Sequence, residues 1–539
     1  MASSLKRVKN SDVLFVLLCT LLLSIPASYE PHHIAKTLFF GAFIKSLAYS
    51  LILAFFTYKW RMARIIAFSI LYLLFSIETF TYIVFDSRFN PAILTLILQT
   101  SSQEISEFIT VYFCTFKSVF VILLLLIVYV FILCILLRST KTVWQQSIKV
   151  KIAIIGLILI GLSIDYYPLP FPIGKNTVDE LLVSLRFVRD NHQDLDLIEE
   201  LFDKIQITQT PTASQSPAII LIIGESYNKY HSSLYGYQLP TSPQLEKERQ
   251  AGRLIVFDKA MTPTNGTAFA MRYLFTLQSC SDNDKTLRCI LMPYVFRKAG
   301  YKVAYFDNQY TRSSSGELDY SCVFFLNPQH INNSCFTYRN DETMPYDGDF
   351  IDQYKRHFIK QNKSLHIIHL MGQHFDASQR YPANYSKFTA EDIHRKDLDE
   401  SQRRKTAEYD NATLYNDQVV SDIINEFRDL DAVIVYLSDH GEQIYDGDSH
   451  YYGRTFGSYK DATTLKNVYQ VPFMIWCSQK YQAAHPDHFR FICNASSKSV
   501  CIDDVPYLLF DLAVIDFNYN DKRRSMIDSS YHSHETIVE

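Results

Sequence analysis

Apolar residues run almost unbroken through the first 165 positions and then break into short, regularly spaced stretches. Five runs stand out: Val13–Ala27, Leu38–Thr57, Ile65–Phe85, Val119–Leu137 and Ile152–Asp165. A bilayer's hydrocarbon core is about 30 Å thick and takes about 20 apolar residues of helix. The middle three runs meet that length, and the first and last need interfacial extensions. A stretch such as "VFVILLLLIVYVFILCILL" has no polar side to turn to water, so buried helices of a soluble protein do not account for it. Between the third and fourth runs, "PAILTLILQTSSQEISEFITVYF" alternates at helical spacing and predicts helices lying on the membrane surface. After Asp165 the Pro-rich "YYPLPFPIGK" predicts an extended joint. The charged, amphipathic "TVDELLVSLRFVRDNHQDLDLIEELFDKI" then predicts a bridging helix, and "QTPTASQSP" a polar linker.

From Pro217 the period changes. "AIILIIGES", "KVAYFDN", "LHIIHLMGQH" and "AVIVYLSDHGE" each read as a buried strand that stops at polar residues, with helical segments between them. Such alternation predicts a mainly parallel sheet covered by helices on both faces. The expected organisation is a five-helix all-α transmembrane bundle over 1–168, a bridging helix and linker over 169–215, and an α/β domain over 216–539. In a sheet of this kind the site collects at the carboxyl ends of the strands. Those ends carry Glu225, Asn308, His374, and Asp439 with His440.

Charge orients the chain. Lys6, Arg7 and Lys9 precede the first run, Lys59, Arg61 and Arg64 follow the second, and Arg138, Lys141, Lys149 and Lys151 follow the fourth. The alternate loops are poor in Lys and Arg, so the N-terminus is expected in the cytoplasm and everything after Asp165 outside it. The first run, whose apolar core ends in "SIPAS", also fits a cleaved signal peptide; retention as a helix is the expectation adopted. The net charge of −4 gives no basic surface for nucleic acid.

Of the ten cysteines, Cys19, Cys114 and Cys134 lie in the membrane portion. Six others form close sequence pairs: Cys280 with Cys289, Cys322 with Cys335, and Cys493 with Cys501. Short-range disulfides in an oxidising compartment are expected of them. Cys477, in an apolar run, is expected as a buried thiol.

Carboxylate and imidazole ligands around an open position suit a catalytic zinc or a similar ion. A hydroxyl beside such an ion becomes a nucleophile near neutral pH. "FDKAMTPTNGTAFAMRYLFTLQS" offers Thr262, Thr264 and Thr267 in a turn before a helix, and a helix N-terminus welcomes an anionic phosphate. Taken alone, Thr267 also reads as a helix cap and "SDHG" as a turn.

The whole chain resembles the membrane-anchored phosphoethanolamine transferases of Gram-negative bacteria, in the alkaline phosphatase and sulfatase superfamily. The resemblance is carried by "IIGES", "SLYGYQLPTSP", "TAFAMRYLF", "HLMGQHFDASQRYP", "YNDQVV" and "YLSDHGEQIYDGDSHYYGR". It implies a sulfatase-like catalytic domain in the periplasm on an inner-membrane anchor. It implies Thr267 as nucleophile, with Thr264 as fallback. Zn2+ would be held by Glu225, Thr267, Asp439 and His440, as one or two ions, with Mn2+ or another divalent ion as alternatives. His374 and His450 are implied at a second metal or the phosphate, and Asn308 near the ethanolamine phosphate. The implied reaction moves phosphoethanolamine from phosphatidylethanolamine to lipopolysaccharide core, lipid A or a periplasmic glucan through a phospho-threonine. Pro263–Gly266 and Met271–Tyr273 stand where lipid A-modifying members carry cysteines, which favours the branch acting on core heptose or glucans. The rival expectations are a phosphoglycerol transferase of the same superfamily and a non-catalytic membrane sensor. A sulfatase would need a Cys or Ser in a "CxPxR"-type run, and none stands at Thr267.

Overall fold

The computed structural model describes residues 2–29, 32–57, 60–85, 87–99, 109, 113–138, 155–156, 158–159, 175–212, 215–281, 284–309, 322–447, 451–454 and 461–533. The chain forms two compact units, one within Met1–Asp190 and one built from Asn191–Arg454 and Tyr459–Glu539.

Among the described residues of the first unit, three helices are long and apolar enough to cross a membrane: Phe39–Thr57, Arg61–Val84 and Phe116–Leu136. Val13–Tyr29 is a shorter apolar helix. The fifth apolar run, over 152–165, lies almost wholly outside the described residues. Phe15, Cys19, Leu22, Ala54, Phe68 and Tyr72 form a small internal core. Large apolar side chains on the Phe116–Arg138 helix point outward instead, with Leu123 52% and Phe131 66% exposed, a surface of the kind that marks a membrane or protein contact. Helical hydroxyls bond back to their own backbone, as Thr20 does to Val16 and Ser69 to Ile65. Arg88 neutralises the buried Glu78 at 2.7 Å. Pro91–Gln99 is helical, within the stretch expected to lie on the membrane surface.

The second unit is organised by a seven-stranded mixed sheet. Its strands in chain order are β1 (Ala218–Gly224), β2 (Leu254–Val256), β3 (Lys302–Asp307), β4 (Tyr338–Arg339), β5 (Ser364–His369), β6 (Ala432–Ser438) and β7 (Phe473–Cys477). Their spatial order is β2-β7-β6-β1-β5-β3-β4. The pairings β6–β1, β1–β5, β5–β3 and β3–β4 are parallel, whereas β7 runs antiparallel to both β6 and β2. Every residue of β1, β5 and β6 is buried, which is why these strands read as continuous apolar runs rather than alternating ones. One face packs Ile219, Leu221 and Ile223 against Met271, Leu274 and Phe275. The other packs Ile220 and Ile222 against Tyr409, Val420 and Ile424 of the long helix Glu400–Phe427. The bridging helix spans Thr177–Lys204. Its Ile198, Leu201 and Phe202, with Ile205, belong to the first of these cores, and Ile207–Gln209 pairs with Asp516–Phe517. Packing therefore draws residues upstream of 216 into this unit.

None of the three expected cysteine pairs is bonded in the structure. Cys280 lies beside Cys501 instead, because the strands Lys259–Met261 and Ser499–Cys501 pair in parallel and bring distant segments together.

Candidate metal centre

The parallel register places the ends of β1 and β6 side by side, with Gly224 opposite Ser438. The next residues are Glu225 and Asp439, both fully buried. Ser226 takes a left-handed φ of 56°, and its backbone N–H donates to Asp439 Oδ1 at 3.2 Å. On the neighbouring β5 the chain turns sharply after Leu370, with Gly372 at φ 50°. A Cβ at Gly372 would sit 2.9 Å from both the N and the O of Glu225. Only glycine lets this turn approach so closely.

The helix Thr267–Phe275 enters from the loop after Met261. Its first residue is half-buried, and Thr267 Oγ1 donates to Glu225 Oε2 at 3.1 Å. The same oxygen lies 3.3 Å from His440 Nε2. The hydroxyls of the other two threonines are engaged with backbone groups. Thr262 Oγ1 donates to the carbonyl of Asp439 at 2.7 Å, and Thr264 Oγ1 accepts from the Gly266 N–H at 3.3 Å.

His440 Nδ1 faces the Gly441 carbonyl at 3.0 Å, an acceptor only, so Nδ1 carries a proton. Nε2 points at Glu225 Oε1 at 3.1 Å and Asp439 Oδ2 at 3.0 Å. Burial and Arg454 push the imidazole down, but Asp439 and Glu225 outweigh them and lift it to about 9. Burial raises the Glu225 carboxyl, yet the charges of His440, His374 and Arg454 hold it well below the usual range. Two buried carboxylates thus demand positive charge at one point. Glu225, Asp439 and His440 each offer a ligand atom there, all within 4.8 Å of one another. Asp439 Oδ2 makes no hydrogen bond although buried. Two oxygens, one imidazole nitrogen and an adjacent hydroxyl fit a zinc-type or manganese-type ion.

Several groups surrounding this cluster carry no strong signal in the sequence. Gln309 Nε2 donates to Glu225 Oε2 at 3.1 Å and to the Leu370 carbonyl at 2.9 Å. Arg454 reaches the Asn265 carbonyl at 2.6 Å, lies against His440 Nε2, and faces Glu442 at 3.5 Å. His369, the last residue of β5, is held through Nδ1 by Asp307 Oδ1 at 3.0 Å, leaving its buried Nε2 unbonded. His369 and Asp307 sit opposite each other across β5 and β3, a juxtaposition no spacing rule reveals. Of the other expected site residues, His374 follows the Gly372 turn close enough for its charge to act on Glu225. Asn308 has both ends of its amide engaged: Nδ2 donates to Asp347 Oδ1 at 2.8 Å, and Oδ1 accepts from the Met344 N–H at 2.7 Å. Asp347 in turn accepts from the N–H groups of Met371 and Gly372 at 2.8 Å each. Asn308 is thereby tied to the turn that leads to His374. His450 lies outside the described residues.

Comparison with known proteins places this geometry in context. Phosphoethanolamine transferase EptC of Escherichia coli K12 is 25% identical over 481 residues, covering 84% of this chain and 79% of that protein. Phosphoethanolamine transferase CptA of Salmonella typhimurium is 26% identical over 479 residues, with the same coverage of 84% and 79%. The periplasmic domain of E. coli EptC, solved in complex with zinc, matches at 26% identity and a TM-score of 0.51, over 59% of this chain and 88% of that one. The integral membrane lipooligosaccharide phosphoethanolamine transferase A of Neisseria meningitidis shares the fold over 96% of this chain and 98% of that one. Its TM-score is 0.66 and its identity 15%. The sulfatase family model matches residues 217–515, more than half of the chain and the whole of the sheet and metal cluster. The chain belongs to the sulfatase family.

Proposed function

We propose that this protein transfers phosphoethanolamine from phosphatidylethanolamine to a cell-envelope acceptor, lipopolysaccharide core, lipid A or a periplasmic glucan, by way of a phospho-threonine at Thr267. The observation that carries this reading is one hydroxyl at a helix N-terminus, within hydrogen-bond reach of a buried Glu225–Asp439–His440 cluster. Kinship with phosphoethanolamine transferases over most of the chain supports the substrate class.

Glu225, Asp439 and His440 would hold zinc, as one or two ions, with Mn2+ or another divalent ion as the alternative. Bound there, the ion would supply a lowered pKa for the adjacent hydroxyl and charge neutralisation for the phosphoryl oxygens. The chain's own groups do the rest. Thr267 Oγ1, its proton directed at Glu225 Oε2, attacks the donor phosphorus, and the bond to the diacylglycerol oxygen breaks. The departing oxygen takes a proton, and an acceptor oxygen then displaces Thr267 from phosphorus. Gln309 steadies the carboxylate that faces the nucleophile. His374 and His450 orient the phosphoryl oxygens or carry protons, and Asn308 holds the wall of the site near the ethanolamine phosphate. The anchor follows from the donor, since a lipid headgroup must be reached at the bilayer surface. We assign five membrane helices over 1–168, a bridge over 169–215 whose end packs into the catalytic core, and a catalytic domain over 216–539 facing the periplasm from the bacterial inner membrane.

The test is mass spectrometry of the full-length protein after incubation with phosphatidylethanolamine. A phosphoethanolamine adduct on Thr267 is expected. An adduct on Thr264 moves the nucleophile, and a glycerol phosphate adduct from phosphatidylglycerol makes this a phosphoglycerol transferase. Absence of any adduct in protein with its metal content established sinks the reading.

A further inference from the structure

The loop that presents Thr267 begins at the small parallel pair of strands, in which Cys501 stands opposite Met261. From Met261 the chain runs out to Thr267, along the helix to Phe275, and back to Cys280. It returns to its starting point. Cys280 Sγ, Cys501 Sγ and a carboxylate oxygen of Asp503 lie within 4.8 Å of one another. Both feet of the loop therefore converge on one residue, Cys501. Polar contacts already hold the returning foot: Asp503 Oδ2 accepts from the Cys280 N–H at 2.9 Å and the Ser279 hydroxyl at 3.2 Å. The Tyr507 hydroxyl donates to the Leu277 carbonyl at 3.2 Å.

We propose that Cys280 and Cys501 form a disulfide that closes the foot of the Thr267 loop. The pair joins residues far apart in sequence and displaces two of the pairs that spacing suggests, Cys280 with Cys289 and Cys493 with Cys501. Its presence in cells rests on the periplasmic placement proposed above; its geometry does not. Cys280 is half-buried and Cys501 fully buried, so a soluble oxidant reaches Cys280 first. The hydrogen bond to Cys280, together with burial, holds the Cys501 thiol well above the ordinary range, which leaves Cys280 as the attacking sulfur. With a glutathione disulfide as oxidant, the Cys280 thiolate forms a mixed disulfide and expels one glutathione thiolate. The Cys501 thiolate then attacks the Cys280 sulfur and expels the second. Two cysteine thiols give up two electrons and two protons, and one glutathione disulfide becomes two thiols. The two protons pass through the buffer to the glutathione thiolates.

Trypsin separates the relevant cysteines: 273–285 holds Cys280, 289–297 Cys289, 491–498 Cys493 and 499–522 Cys501. The full-length protein in detergent is equilibrated in glutathione redox buffers, quenched with N-ethylmaleimide and digested without reduction. Peptide 273–285 joined to 499–522, and released by dithiothreitol, is expected. Amide exchange over 262–281 is expected to be about tenfold slower in the oxidised protein than in Cys501→Ser, a variant that melts like the reduced wild type. Peptide 273–285 joined to 289–297, alkylation of both cysteines in every buffer, or a thiolate-bound zinc lost in Cys501→Ser would each overturn the proposal. The same mapping on intact cells separates the two claims. A link made in buffer and absent in cells supports the pairing and overturns the periplasmic placement.

Discussion

Three threonines share one turn, and distance alone sets their roles. The Thr262 hydroxyl is committed to the Asp439 carbonyl and that of Thr264 to the Gly266 N–H, whereas Thr267 faces Glu225 and His440. Thr267→Ala is therefore expected to abolish adduct formation and lower transfer by about 10³-fold or more, as loss of a covalent nucleophile does. Thr264→Ala should stay within about tenfold of wild type, because it removes one local hydrogen bond; radiolabelled headgroup transfer checks both. Gln309→Ala is expected to lower kcat by about tenfold, since Glu225 Oε2 loses a donor. Unchanged kcat in that variant would remove Gln309 from the site. Glu225 and Asp439 were legible in the sequence because each directly follows a buried apolar strand, with His440 next after Asp439. Gln309, Arg454 and the Asp307–His369 pair were not, since their partners come from other strands and loops.

At the scale of elements, the turn after β5 is the tightest constraint. Gly372→Ala places a methyl 2.9 Å from two Glu225 backbone atoms and forces a left-handed φ on alanine. The expected cost is about 1–3 kcal/mol, with metal content falling together with activity. A stable, fully metallated Gly372→Ala protein would show that the turn can shift. A second element depends on a buried ion pair. His231 Nδ1 lies 2.6 Å from Asp410 Oδ1, on the Glu400–Phe427 helix. Burial pushes His231 down, but Asp410 overcomes it and raises the imidazole from 6.5 to about 10. A folded value above the ordinary one means that the pair's stabilisation is complete below pH 6.5 and is lost as pH rises through about 10. Melting temperature should therefore fall from pH 7 to pH 10, and Asp410→Asn should flatten that slope. Parallel slopes for the two proteins would assign the alkaline loss to other groups.

Across the whole molecule, a lipid-embedded portion and a metal cluster are each required in the proposed reaction. Prolonged chelation is expected to abolish transfer and lower the melting temperature, and zinc should restore both, because an ion bound only by the folded state stabilises it by mass action. Transfer unaffected by exhaustive chelation, with metal absent by elemental analysis, would count against metal dependence. The bridging helix shows where sequence boundaries mislead. Its charged, amphipathic pattern reads as a bridge between the two parts, yet Ile198, Leu201 and Phe202 are part of the core beneath the sheet. A soluble protein beginning at 216 is expected to aggregate, whereas one beginning at 191 should stay monomeric by size-exclusion chromatography.

Local chemistry was enough to mark the lipid-soluble runs, the buried strands and the acidic and imidazole residues at their ends. Hydrophobic length and period depend only on neighbours along the chain. The choice among three hydroxyls, the partner of Cys280 and the company kept by Glu225 depended on strand order and register. Those are set by packing between segments hundreds of residues apart, such as β1 beside β6. No spacing within one segment encodes which distant strand will lie next to it.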